Sequence, residues 1–422
     1  MSSPAAARAA RRFAPLAALL FAVSVLGGCL EPPTAPERYV NLDGYKKDPS
    51  GLDPNAWPNL DGTTITLLDN GAFEGFDVAA TQFHDLTGVT VVKENGGDGV
   101  KSLKTLADSK ASGKYDVIYG LDNMLLGKAI RQGVLEPYRP AMVNRIAPSL
   151  MFFPQNGTFY ATPVDHGYVA INVDTTSAAL EGQPVLGLGD VRHFADQFVT
   201  EDPTLSTPGL AFLLTTIAVF GEKSQYSPQR YDWQSYWTDL LTGRDTDRDH
   251  DGQVAGCVLV VDDWSTAYVQ HFSAGYGVDG GGLADKPIVT SYTESPAVED
   301  FYYRGANNGE HKPNLAAVVL EANATFHQIQ TMAIAKGTTH GAAAQAWIEF
   351  SLTDFFQKLA AEKDGVYPVV PSIKVSSIYQ GIDPTPGSFH DASMSYDVIT
   401  ANLERWLKEW TTLHEAHATC PV

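Results

Sequence analysis

The sequence predicts an α/β fold built on a mixed, mostly parallel sheet with helices on both faces. Strand and helix patterns alternate between residues 64 and 119. The chain has 422 residues, of which 44% are hydrophobic, enough for more than one average domain and for sizeable cores. That length fits two lobes, or one domain with a large insertion.

Residues 64–68 read as a strand, 79–86 as a helix and 89–92 as a strand with β-branched residues in a row. Residues 100–111 follow as a helix striped by Leu103 and Leu106, and 115–119 as a third strand. Strand, helix, strand, helix, strand is the order of a parallel sheet covered by helices. Ligands in such sheets gather at the carboxyl ends of strands, so the residues after Leu68 and after Tyr119 are the first places to look. Residues 168–173, 258–261 and 288–292 read as extended, and 210–220 and 345–359 as helices. Leu403, Trp406, Leu407, Trp410 and Leu413 make the apolar stripe of a last helix that must pack on something.

The formal net charge is −20. That argues against a nucleic-acid partner, because phosphate backbones demand basic surfaces. Arg8, Arg11 and Arg12 precede an apolar run from Phe13 to Leu26 that is short for a membrane span, and Gly27-Gly28-Cys29 follows. A charged start, a short apolar core and small residues describe a secretory signal over residues 1–28. Its end, Leu26-Gly27-Gly28-Cys29, resembles a bacterial lipobox. The resemblance implies that Cys29 is lipidated and anchors the protein outside the cytoplasm, in the periplasm or on the cell surface. An ordinary signal peptide with an incidental cysteine is the alternative. No other stretch is apolar enough to span a bilayer. Prolines 32, 33, 36, 49, 54 and 58 mark residues 29–60 as a tether. Outside the cytoplasm, Cys257 and Cys420 can form a disulfide, although spacing alone does not show that they meet.

Four motifs could carry binding chemistry. Gly120-Leu121-Asp122-Asn123 follows a strand, where Asp122 either points into a cleft or caps the next helix. Ser206-Thr207-Pro208-Gly209 starts a helix, where free N–H groups and a hydroxyl either bind an anion or simply cap. Asp263-Trp264-Ser265 and Ser291-Tyr292-Thr293-Glu294 put aromatic rings beside hydroxyls, which suits a flat heterocycle and equally suits a core. Separately, Asp247, Asp249 and Asp251 with Gly252 match the start of a calcium loop, but Val258 stands where its glutamate belongs. A structural calcium and an acidic surface loop are both open; no other cofactor is expected. Nucleophile-elbow, zinc-protease and phosphate-loop motifs are absent.

Taken in order, YDVIYGLDNMLLGKAIRQGVLEPY, TPVDHGYVAINVD, EDPTLSTPGLAFLLTTIAVFG, WSTAYVQHF, SYTESPA, GVYPVV and ERWLKEW resemble the thiamine-binding proteins of bacterial thiamine ABC importers. The resemblance covers most of residues 62–412 and implies the two-lobed type II periplasmic-binding fold with a ligand cleft between the lobes. Lobe one is expected over 61–164 and 292–366, and lobe two over 165–291 and 367–418. The resemblance places Asp122, Ser206, Trp264 and Tyr292 at the ligand, with Thr207 and Ser265 beside them. It implies a monomer that binds thiamine or a thiamine phosphate, closes about a hinge and docks on a permease and its ATPase. It also implies binding without catalysis. Two departures stand out: Phe73 lies where the family has a tyrosine, and Asp364-Gly365-Val366-Tyr367-Pro368 lacks the family's tryptophan. They favour the alternative of another heterocycle, a phosphonate or a metal complex. A thiamine-degrading enzyme of similar fold would need a cysteine thiolate, which Cys257 in a valine-rich strand does not offer.

Overall fold

The computed structural model describes residues 46–417, except 72, 154–156, 181, 223–230, 244–255, 276–281, 375–376, 380–384 and 386–393. It opens with β1 (Thr64–Asp69), α1 (Phe76–Thr87), β2 (Thr90–Asn95), α2 (Gly99–Ser109) and β3 (Val117–Asp122). β1 runs parallel to both β2 and β3, as the alternating pattern predicts. Every position of β3 is buried, as befits a strand covered on both faces. After α3 (Leu126–Gln132) and β4 (Leu135–Glu136) comes β5 (Thr162–Val173), which starts before the extended segment read from the sequence.

The next half holds α4 (Leu188–His193), β6 (Phe198–Glu201), α5 (Thr207–Phe220), α6 (Trp233–Thr242), β7 (Leu259–Val261) and β8 (Ile288–Tyr292). β6 lies parallel to β7 and β8. Then follow α7 (Ser295–Ala306), β9 (Ala317–Val319), β10 (Phe326–Ala335), α8 (Gly341–Ser351), α9 (Asp354–Lys363), β11 (Tyr367–Pro368) and α10 (Tyr396–Ala416).

Among the described residues, eleven strands form one mixed sheet, ordered β2-β1-β3-β10-β5-β8-β6-β7, with β4, β9 and β11 paired off this path. It is parallel at both ends and antiparallel in the middle, where β5 pairs with β10 on one side and β8 on the other. β10 escaped the sequence reading. His327, Gln328 and Gln330 interrupt its apolar residues, yet all ten positions are buried. α10 carries the expected stripe, burying Trp406 and Trp410, and the Trp410 ring meets Trp237 edge-on at 5.5 Å.

Two expectations change. The single helix over 345–359 is broken after Ser351, because Thr353 caps α9 by accepting from Phe356 N at 3.3 Å. The tether also docks earlier than residue 60. Trp57 is 6% exposed and packs edge-on to Phe83 and Phe350 at 6.3 and 5.8 Å. Asp48 braces the same segment by accepting from Ser50 N and Asp53 N.

Trp57→Ala should therefore cost about 3 kcal/mol, in line with other buried tryptophan truncations. Urea unfolding measures this; an unmoved midpoint would show that residues 46–60 do not contribute to the fold.

Candidate functional site

The N-terminal end of α2, from the first half, touches that of α5, from the second. Both helices follow the carboxyl end of a parallel strand, β2 for α2 and β6 for α5, the position where ligands gather in α/β sheets. Across the seam, Gly99 N donates to Thr207 Oγ1 at 3.1 Å. Lys101 Nζ reaches Asp262 O at 3.2 Å and Asp263 Oδ2 at 3.9 Å. Gly99 is needed for this approach, since a Cβ there would lie 2.6 Å from Gly120 O and 3.0 Å from Thr207 Oγ1.

Most of the expected residues converge here. Ser206 is the N-cap of α5, fully buried, and its Oγ has no hydrogen bond. Its hydroxyl lies close enough to Asp98 to favour that carboxylate, without completing a hydrogen bond in this geometry. Thr207 serves the seam itself. Trp264 is half-buried, stacks on Tyr268 at 5.1 Å and donates from Nε1 to Ser291 Oγ at 2.8 Å. Tyr292 stands 6.4 Å from Trp264, ring to ring. Burial first, then the charges of Asp98, Asp122, Glu201 and Glu294, push its phenol well above the usual range. Ser265 instead is exposed, at the start of a π-helical turn (Ser265–His271).

Asp122, the last residue of β3, is taken up by the turn that leads into α3. Oδ1 accepts from Met124 N at 2.9 Å and Leu125 N at 3.0 Å, and Oδ2 from Gln328 Nε2 at 3.2 Å. Burial raises its carboxyl to about 7 despite those bonds.

Two acidic residues were missed by the sequence reading. Glu201, the last residue of β6, is fully buried, and neither carboxylate oxygen has a hydrogen bond. Burial raises its pKa well above the usual range, and the charges of Asp98 and Asp263 raise it further. Asp98, at the start of α2, leaves Oδ2 unbonded; burial raises its pKa, while Ser206 and Lys101 oppose the rise. The sequence carried no local signal for either, since Glu201 closes a strand that the sequence reading does not include and Asp98 stands at the start of a helix like any surface acid.

The two departures acquire a structural account. Phe73 is 1% exposed and packs on Tyr119 and Phe356 at 5.6 and 5.2 Å, so it belongs to a core and does not replace a cleft tyrosine. Gly365 occupies the position of the absent tryptophan with φ +66, and a Cβ there would lie 2.3 Å from Val298 Cγ2. A tryptophan has no room at that position as packed.

Cys29, Asp247, Asp249, Asp251 and Cys420 lie outside the described residues. Cys257 is disulfide-bonded, which removes its thiolate chemistry. Among the described residues, no group of three or more His, Cys, Asp or Glu side chains is placed to hold a metal ion. No described helix is long and apolar enough to cross a membrane. A groove of about 660 Å³ lined by Gln234, Arg405 and Glu409 shares none of these residues and is a separate surface feature.

The profile of the bacterial extracellular solute-binding proteins matches residues 78–380. A thiamine-binding periplasmic protein of Escherichia coli K12 is 26% identical over 320 residues, covering 74% of this chain and 80% of that one. A solved periplasmic thiamin-binding protein superposes with a TM-score of 0.65 at 22% identity, over 84% of this chain and 98% of that chain. A periplasmic binding protein from Actinobacillus pleuropneumoniae, with fructose-6-phosphate bound, superposes with a TM-score of 0.62 at 14% identity, over 83% and 99%. The fold is thus the two-lobed one, and these relatives are binding proteins, not enzymes.

Glu294, where β8 meets α7, yields a test of the electrostatics. It accepts from Tyr168 N at 3.2 Å and Thr293 Oγ1 at 3.0 Å, and burial raises its carboxyl from 4.5 to about 8. A raised carboxyl means that the folded state holds a proton which the unfolded state has lost. Stability therefore falls as pH rises from about 4.5 to about 8. Asp122 and Asp165, both raised to about 7 by burial, act in the same direction. Melting temperature should decline between pH 5 and pH 8, and Glu294→Gln should flatten the decline. An unchanged slope in that variant would refute the assignment.

Proposed function

Since this chain belongs to the bacterial extracellular solute-binding proteins, we propose that it captures thiamine, or a close relative of thiamine, for an ABC importer. The family role supplies the frame: a small ligand is bound outside the cytoplasm and delivered to a permease and its ATPase. Support for thiamine is the convergence of Trp264 and Tyr292 with Ser206, Asp98 and Glu201 at one seam. The rings offer faces to a flat heterocycle, and the oxygens offer acceptors to its amino group and its cationic ring. Lipidation of Cys29, a Cys257–Cys420 bridge and a monomeric state belong to the same proposal.

Binding works by closure. A ligand held by residues of both halves gains its full contact only when the halves meet, so it shifts the population toward the closed state. The contacts across the seam, Gly99 to Thr207 and Lys101 to Asp262, are the protein's own part of that closure. A second reading, a different small ligand, is favoured by one observation. Both positions where the thiamine family departs here, Phe73 and Gly365, are packed against the protein and leave no aromatic wall.

Calorimetry of residues 30–422 with thiamine should give saturable heat. Trp264→Ala should weaken binding about tenfold, the scale of a lost cation–π wall. Absence of heat with thiamine and all its phosphates would move the conclusion to the second reading. Closure has its own check. Gly99→Ala should weaken the same ligand, and its small-angle scattering radius should shrink less on ligand addition than that of the unmodified protein. Equal shrinkage would mean that the halves do not close at this point.

A further inference from the structure

The last regular pair of the β5–β8 ladder is Val169 with Tyr292. One more backbone bond follows, from Thr293 N to Tyr168 O at 2.8 Å. The chain then turns into α7, and Glu294 O accepts from Val298 N at 3.0 Å. The Glu294 side chain carries the ladder one bond further. Its Oε1 accepts from Tyr168 N at 3.2 Å, and Oε2 accepts from Thr293 Oγ1 at 3.0 Å. An acid at the start of a helix ordinarily faces the free N–H groups of the first turn. Glu294 is the N-cap of α7 and its side chain makes no such bond. The carboxyl turns back onto β5 instead. Gly167 makes room for it, because a Cβ there would lie 2.4 Å from Glu294 Oε1.

What this bond holds in place is the end of β8. Tyr292 comes two residues before Glu294, close enough for that carboxyl to raise its phenol. Ser291 Oγ accepts from Trp264 Nε1 at 2.8 Å and shares a hydrogen bond with Ser295 Oγ at 3.1 Å. Both rings offered to a ligand thus hang on residues 291–295. Burial raises the Glu294 carboxyl to about 8, so it is largely protonated at neutral pH. A protonated carboxyl keeps its carbonyl oxygen as an acceptor. The bond to Tyr168 N therefore depends on an oxygen in the right place and not on charge, and an amide can supply it.

We propose that Glu294 is a positioning residue: by pinning the end of β8 to β5, it fixes where Tyr292 and Trp264 stand against the ligand. This rests on the reading above, in which those two rings form the aromatic wall. Glu294 acts through the rings and not by touching the ligand.

The test compares Glu294→Ala, Glu294→Gln and Gly167→Ala. The first removes the acceptor, the second offers Tyr168 N an amide oxygen in the same place, and the third displaces the carboxyl without removing it. Two measurements apply. One is calorimetry with thiamine. The other is the indole N–H resonance of Trp264 in the ligand-free protein, assigned by its loss in Trp264→Phe. Glu294→Ala and Gly167→Ala should each weaken thiamine about fivefold or more and move the Trp264 resonance. Glu294→Gln should stay within about twofold and leave the resonance in place. Combining Gly167→Ala with Glu294→Ala should weaken thiamine no more than either alone, because both act on one bond. A general loss of stability would lower the melting temperature without moving that resonance. Should Glu294→Ala fail to fold, Gly167→Ala carries the same comparison. An unmoved resonance, thiamine binding unchanged in Glu294→Ala, or Glu294→Gln as weak as Glu294→Ala would overturn the inference and leave the thiamine reading standing. A moved resonance, with no heat from thiamine on the unmodified protein, would overturn the thiamine reading and leave the positioning role standing.

Discussion

β5 pairs with β10 from Thr162 to Val169 and with β8 from Val169 to Val173, so the two halves of the sheet share one continuous backbone. Everything else is placed by that ladder. The parallel strands of the first half reach it through β3 and β10, and those of the second through β8. A shared strand holds the halves in register while leaving them free to bend about it, as ligand-driven closure requires. The polar side chains of β10 make the ladder specific. Gln328 reaches Asp122 and Gln330 receives Asn70 Nδ2. Asn123 donates to His327 O and accepts from Ile329 N, which clamps the Gly120–Asn123 turn onto the central strand.

This clamp gives the turn at Asp122 a clear physical role. Its carboxylate is saturated by two backbone N–H groups and an amide. Glu201 and Ser206 are the opposite case, buried and left unbonded. Native proteins keep few such groups, and those that persist commonly mark function. A binding protein has reason to carry them, because the stability forgone at such groups is recovered when a ligand supplies the missing partners.

The hydrophobic bulk lies away from this charge. One large cluster gathers α3, α5, α6 and α10 and contains Trp237 and Trp410; another gathers α1 and α8 and contains Phe83 and Trp347. Well-packed cores on either side give the seam rigid walls, so unanswered carboxylates there need not loosen the fold.

Local pattern made the βαβ opening, the last helix and the start of α5 readable, because each rests on periodicity or capping within a few residues. The ordered motifs pointed to the family and to Ser206, Trp264 and Tyr292, which the structure brings to one seam. Three things were not readable. β10 looks polar in sequence, and its glutamines are answered only by Asp122 and Asn70, more than 200 positions away. The break at Thr353 depends on a cap that competes with an unbroken apolar stripe. Glu201 and Asp98 resemble any surface acids until β6 and α2 are brought face to face. Sequence alone determined the class of protein, because class is written in local order and motif. Tertiary structure alone decided which polar groups at the seam are buried without partners, because burial and missing partners exist only once distant segments meet.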